Sequence, residues 1–318
     1  MIEKSMPDFI MQRVRKQIED IFGEEKKQGA GITIAVLDSG VSRHPDLAGK
    51  IAGFRDFSKS RNQSGADSPF DDNGHGTHVC GILCGSGLAS GGRYRGIAPG
   101  ARLIVGKVLD DKGEGEAESL LEAMDWILSV REKYAIRILN LSVGIGELRD
   151  SRREELLAEK TGEVCRAGIL VVCAAGNKGP AENTISAVGK SGDILTVGCH
   201  DGRFYGNDKN RCALYSGRGA AGGKVRKPDL VAPGTDVLSC NREWYYKNGR
   251  LQDAYIPKSG TSMAAPIVAG AAALALQKYP LMTNETCQQK MKYTATNLGI
   301  PWNQQGWGMI NIRRLLTD

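Results

Sequence analysis

The sequence has no apolar run of the length, about 18 residues, that crosses a bilayer, and its opening stretch, MIEKSMPDFIMQRVRKQIED, has none of signal-peptide length. No membrane partner is expected, and a cytoplasmic location is the simplest expectation. No CxxC pair occurs among the eight cysteines, and there are only four histidines, so no structural zinc is expected. Cys80, Cys84, Cys173 and Cys199 fall in apolar runs and read as buried thiols rather than a disulfide framework. Like charges never gather into a block of about five or more, and both signs are interspersed around a net charge of +6. A nucleic-acid partner is therefore not expected. No internal repeat or low-complexity segment is evident.

What is present fits one large α/β domain able to bury its own core: 318 residues, 41% of them hydrophobic and 25% charged. The 41 glycines are roughly twice the usual share, which suggests tight turns and close backbone approach. Residues 32–37, 103–109, 136–143, 169–174 and 194–199 are continuous apolar runs of strand length. Helix-like stretches lie between and beyond them, at 116–134, 152–166 and 262–279. This alternation predicts a doubly wound, mostly parallel sheet with helices on both faces, and places function beyond the carboxyl ends of the strands. Residues 1–30 differ. Ile10, Val14, Ile18, Ile21 and Phe22 recur at helical spacing, predicting an amphipathic helix, and residues 5–9 before it suit an extended conformation.

Three segments carry chemistry. GITIAVLDSGV (31–41) is a buried strand ending in Asp38, a carboxylate that could also simply cap the next turn. DDNGHGTHVCGILCG (71–85) puts His75 at a helix opening, where its ordinary pKa suits proton transfer. An HxxH metal pair with His78 lacks a ligand cluster, and His78 reads as a buried structural histidine. KSGTSMAAPIVAGAAALAL (258–276) puts Ser262 at a helix start, where free N–H groups and the dipole stabilise an oxyanion. A plain N-cap serine is the alternative.

DSG, HGTH and GTSMAAP, in the order Asp, His, Ser, resemble the three signatures of the subtilisin family of serine proteases. HPDL (44–47), YRGIAPGA (94–101), NLSVG (140–144), AAGN (174–177), KPDLVAPG (227–234) and GWGMINIRRLL (306–316) extend the resemblance over roughly residues 31–316. It implies a subtilisin-like catalytic domain at 31–318, with 1–30 an extension that could act as an inhibitory segment. It implies Ser262 as nucleophile, His75 as general base, Asp38 as the orienting acid and Asn177 as oxyanion donor. As a lone residue, Asn177 reads only as a turn.

The same matching implies that Gly113, Glu114 and Gly115 on one side, and Ser142, Val143 and Gly144 on the other, flank an extended peptide substrate. Ala174, Ala175, Gly176 and Ser186 would line the specificity pocket, with Lys178 near its rim. Glu114 and Glu116 should favour basic residues upstream of the cut, and Lys178 should disfavour them immediately before it.

The resemblance implies no cofactor for the chemistry and no catalytic metal. Many members hold a structural calcium through the HPDL aspartate and an Asn-rich loop. Asp46 is kept, but residues 85–96 offer no carboxylate or amide, whereas calcium wants about six to eight oxygens. No signal peptide or long prodomain is recognised, which resembles intracellular members. The implied partner is a peptide or protein substrate. The implied activity is broad endopeptidase cleavage. Alternatives are a narrow precursor-maturation protease and an inactive family member acting as a regulatory binder.

Overall fold

The five apolar runs become strands of one sheet. The computed structural model describes residues 6–22, 27–58, 68–143, 151–201, 211–222 and 226–318. Its sheet comprises β1 (Thr33–Asp38), β2 (Ile51–Asp56), β3 (Arg102–Lys107), β4 (Ile136–Leu141), β5 (Leu170–Ala174), β6 (Leu195–His200) and β7 (Leu230–Pro233). Their order is β2-β3-β1-β4-β5-β6-β7, and every pairing is parallel. From β1 the chain runs to the edge strand β2, returns to β3 between them, then crosses β1 to β4 and winds outward through β5 and β6 to β7. The carboxyl ends of β1 and β4 therefore straddle the switch point of the fold.

Helices cover both faces, as the alternation predicts. Ile34 and Val36 of β1 join a core with α1 (Met6–Phe22), α2 (His75–Cys84), α5 (Thr261–Lys278), α6 (Asn284–Thr294) and α8 (Ile312–Thr317). Ala35 and Leu37 point the other way, into a core with α3 (Ala117–Tyr134) and α4 (Ser151–Arg166). A short helix, α7 (Trp302–Gln305), precedes α8. Two ribbons lie outside the sheet: β8 (Val237–Cys240) pairs with β11 (Tyr255–Lys258), and β9 (Tyr245–Lys247) pairs with β10 (Arg250–Gln252).

Helix α5 is the centre of this body. Every residue from Thr261 to Leu276 is buried. Its small side chains let it lie close to its neighbours; a Cβ on Gly270 would stand 2.5 Å from Ile97. All eight thiols are buried and unpaired. Burial pushes Cys84 and Cys173 up to about 12, so both stay protonated and pack as small apolar groups.

Helix α1 begins at Met6, so Met6–Phe9 are helical where the sequence suggests an extended segment. Pro7 falls in the first turn, where a missing N–H breaks no intrahelical bond. Met11, Val14 and Ile18 sink into the core. Arg15, only 4% exposed, donates to the carbonyls of Gly96 (3.0 Å) and Ile97 (3.3 Å). Among the described residues, no helix is long and apolar enough to cross a membrane. Because Arg15 joins α1 to the loop after α2, Arg15→Ala should lower unfolding free energy by about 1–3 kcal/mol. Chemical denaturation checks this. A loss below about 0.5 kcal/mol, the scale of ordinary surface substitutions, would mean that α1 is not part of the cooperative unit.

Candidate active site

Strand β1 ends in Asp38, whose side chain is fully buried at the switch point. Its Oδ1 accepts from the Ser39 N–H (2.7 Å) and meets His75 Nδ1 at 2.7 Å. His75 is the first residue of α2, and its side chain is 23% exposed. Burial works against the imidazolium. The Asp38 carboxylate, through its charge and its bond, outweighs this with help from Asp71, although Lys258 opposes it. The net effect raises the His75 pKa above its ordinary value.

The helix start is set from a distance. Gly74, at the N-cap, has no capping side chain and sits at φ 93°, a left-handed conformation that favours glycine. Asp71 supplies the cap instead. One oxygen accepts from Ser39 Oγ (2.9 Å), Asn73 N (3.1 Å) and Gly74 N (2.7 Å); the other accepts from Thr77 N (2.9 Å) and Thr77 Oγ1 (2.6 Å). Ser39 Oγ accepts in turn from Gly76 N (2.9 Å). The buried ammonium of Lys107, at the end of β3, bridges Ser39 O (3.1 Å) and Asp72 (2.7 Å). His78 is a structural histidine, as expected: Nε2 lies 3.0 Å from the carbonyls of both Val237 and Ile256. Burial, with the charges of Lys258 and His75, pushes its pKa down to about 3, so the ring stays neutral.

Ser262 is the second residue of α5. Its hydroxyl donates to the Ser142 carbonyl at 3.0 Å rather than to His75. In return, Ser142 Oγ donates to the Ser262 carbonyl at 3.1 Å, while Asn140 Nδ2 donates to Ser142 Oγ at 2.9 Å. Pro266 explains why the Ser262 carbonyl is available. It stands four residues later inside the helix and has no N–H to give, so the freed carbonyl receives Ser142 from β4. Gly260 precedes the helix at φ 155° and ψ 161°, a region open essentially to glycine.

Asn177 lies just beyond β5. Its Oδ1 accepts from Thr261 N and Thr261 Oγ1, both at 3.0 Å. A backbone N–H can only donate, so these bonds fix the amide orientation and leave Nδ2 as the group able to donate to a bound anion. The sequence gives no sign of this role for Thr261 beyond its place between Gly260 and Ser262.

The residues expected to bind substrate lie at the end of β5 and in the segments that follow β3, β4 and β5. Gly113, Glu114 and Gly115 form a turn after β3, held by Asp110, whose Oδ1 accepts from Lys112 N and Glu114 N, both at 2.9 Å. Asn73 ties this turn to the start of α2 by donating to Asp111 O (3.0 Å). A cavity of about 190 Å³ beside it is lined by Ser58, Asp110, Glu114 and Glu116. Ser142 and Val143 follow β4; Gly144 lies outside the described residues. Ala174, Ala175 and Gly176 meet Ser186, which donates Oγ to Ala174 O (3.0 Å) and N to Ala175 O (2.8 Å). Lys178 is exposed just after Asn177.

Asp46 is already satisfied by protein groups. One oxygen accepts from Ala89 N (2.8 Å) and the other from Tyr255 OH (2.7 Å). Asp46 does form a small cluster with His44 and Cys240. Both ring nitrogens of His44 are engaged, however: Nδ1 accepts from Asp46 N (3.1 Å) and Nε2 faces Ala254 O (2.9 Å). This donor set does not fit calcium, which needs free oxygens around the ion.

A strand-end carboxylate on an imidazole, a serine at a helix N-terminus and an anchored amide form the equipment of acyl transfer by a serine hydrolase. Residues 29–308 match the subtilase family of peptidases. The serine protease AprX of Bacillus subtilis (strain 168) is 39% identical over 274 residues, covering 83% of this chain and 61% of AprX. Subtilisin Savinase of Lederbergia lenta is 35% identical over 283 residues, covering 89% of this chain and 90% of its own. Among solved structures, the S41 psychrophilic protease superposes with a TM-score of 0.74 at 29% identity, covering 89% of this chain and 92% of its own. Sphericase gives the same TM-score at 28% identity and the same coverage. The chain belongs to the subtilase family.

The bonds at Asp46 set an expectation for metal removal. Incubation with a chelator should leave the thermal midpoint unchanged. Tyr255→Phe, which takes one donor from a buried carboxylate, should cost about 1–3 kcal/mol. Thermal denaturation with and without EDTA and calcium measures both. A large fall in EDTA, reversed by calcium, would show that a cation rather than Tyr255 holds this corner.

Proposed function

We propose that the protein is a serine endopeptidase in which Asp38, His75 and Ser262 act as the catalytic triad, and Asn177 Nδ2 with the Ser262 N–H acts as the oxyanion hole. The observation that carries this reading is the 2.7 Å bond from His75 Nδ1 to the buried Asp38 carboxylate. It leaves Nε2 to serve as base. The Ser262 hydroxyl turns from the Ser142 carbonyl toward His75 and attacks the scissile carbonyl. His75 takes its proton and then gives it to the leaving amine, and water repeats the sequence on the acyl-enzyme. An extended substrate would add as a strand between 113–115 and 142–144, the close approach helped by glycine at Gly113 and Gly115. Acid groups at Glu114 and Glu116, which line the cavity beside that turn, support a preference for basic residues upstream of the cut.

The fold serves a broad protease and a narrow maturation protease equally, and a peptide-library cleavage profile separates them. The bond from Ser262 to Ser142 rather than to His75 is the one observation favouring a non-catalytic binder. Labelling by a fluorophosphonate decides that question. For residues 1–30, the sunken face of α1 supports bracing over inhibition. Deleting residues 1–8 and finding a higher initial rate would favour inhibition. The eight unpaired thiols support a reducing, cytoplasmic setting.

Ser262→Ala should abolish hydrolysis beyond a small residual rate while leaving the fold intact, because only one hydroxyl contact is lost. Circular dichroism and a peptide assay check both, and an active variant would overturn the assignment. Asn177→Leu should lower turnover by about 10²–10³, the figure known from subtilisin itself. The raised His75 pKa has a definite sign in the pH profile. Only neutral His75 can act as base, so kcat/KM should climb through a midpoint above the ordinary histidine value near 6.5. A midpoint below about 6 would contradict the Asp38 contact.

A further inference from the structure

Lys258 stands where the frameworks of the two reacting side chains meet. It is four residues before Ser262, at the end of β11, and pairs in register with Val237 of β8. The Val237 carbonyl and that of Ile256, two residues before Lys258, both receive His78 on α2, the helix that begins with His75. Lys258 is half-buried, is seen in no hydrogen bond or ion pair among the described residues, and carries a charge felt by both His75 and His78. The neighbouring charges are otherwise engaged. Arg242 lies against Gly74, donates to Asp71 O (3.0 Å) and pairs with Glu243 (3.3 Å). Asp236 accepts from Ser259 Oγ at 3.2 Å. Among these groups, Lys258 is the cation not paired with a protein anion.

The side of the substrate it would meet follows from the chemistry. The acyl half occupies the ends of β3, β4 and β5, at 113–115, 142–143 and 174–176. His75 hands its proton to the leaving nitrogen, so the residues after the scissile bond must pass His75 and the start of α5. The ribbon of β8 and β11 is bonded to α2 through His78 and holds Lys258 within electrostatic reach of His75, on the path of that exit. We infer that Lys258 selects substrates carrying Asp or Glu in the first two positions on the leaving-group side of the cut. This rests on the endopeptidase reading. With the acidic turn at 110–116 on the opposite side, the cleft would read its substrate with a polarity, basic before the cut and acidic after it.

The test uses matched peptides that differ only in Glu, Gln or Lys at each of those two positions. Wild-type protein should cleave the Glu peptide about three- to tenfold faster in kcat/KM than the Gln peptide, the range expected for one partly exposed charge pair. Lys258→Met should bring that ratio to about one, Lys258→Glu should invert it in favour of Lys, and raised salt should shrink it in wild type. A ratio near one in wild type, or one that survives in Lys258→Met, overturns the inference. Binding is measured alongside by fluorescence anisotropy of the same labelled peptides, on Ser262→Ala with and without Lys258→Met. If no peptide is cleaved, the endopeptidase reading fails, and the Glu-to-Gln binding ratio still decides the role of Lys258. A charge preference that depends on Lys258 supports it, and equal binding removes it.

Discussion

Five hydrogen bonds converge on the carboxylate of Asp71, and the site depends on them. Through Ser39 they join the turn after β1 to the first turn of α2, reinforcing the bond from Gly76 N to Ser39 Oγ. The histidine is thereby delivered to the aspartate by a rigid turn rather than by a flexible loop. Lys107 reinforces the joint from β3 with its ammonium fully withdrawn from water. A charge so placed is tolerable because carbonyls and Asp72 surround it.

The serine side of the cleft follows a different rule, in which backbone groups are released and then claimed. Pro266 withholds one helical donor, and Ser142 takes the vacated carbonyl. Thr261 offers its N–H and hydroxyl, and Asn177 takes both. Each exchange ties α5 to a strand end, of β4 in the first case and β5 in the second. Position and orientation thus come from obligatory partners rather than from side-chain shape.

The sequence made the central strands legible because burial on both faces writes an unbroken apolar run, as in Leu170–Ala174. Strand ends differed by a residue or two, since the ladder continues through polar Asp38 and His200, which hydropathy does not count. Strands β2 and β7 carried no such signal. The first is an edge strand with exposed Arg55, and the second is four residues ending in Pro233. Asp38, His75, Ser262 and Asn177 were readable because their neighbours in sequence are unusual. Ser142 and Thr261 were not readable as organisers because their partners lie far along the chain, and Asp71 was not because its link to Ser39 leaves no period. The ligand-poor loop at 85–96 argued against calcium at Asp46, but the partners that satisfy it were not readable: Tyr255 comes from a ribbon that no local pattern connects to it.

The burial of α5 also bears on the order of synthesis. Asp38 and His75 emerge from the ribosome long before Ser262, at a stage when the chain still lacks its central helix. Ser262 arrives within that helix, and its carbonyl and hydroxyl can be claimed by Ser142 only once α5 has docked against the sheet. On the proposed chemistry, maturation of the cleft and completion of the fold are one event. An unfinished chain therefore holds no working scissors to turn on itself or on its neighbours.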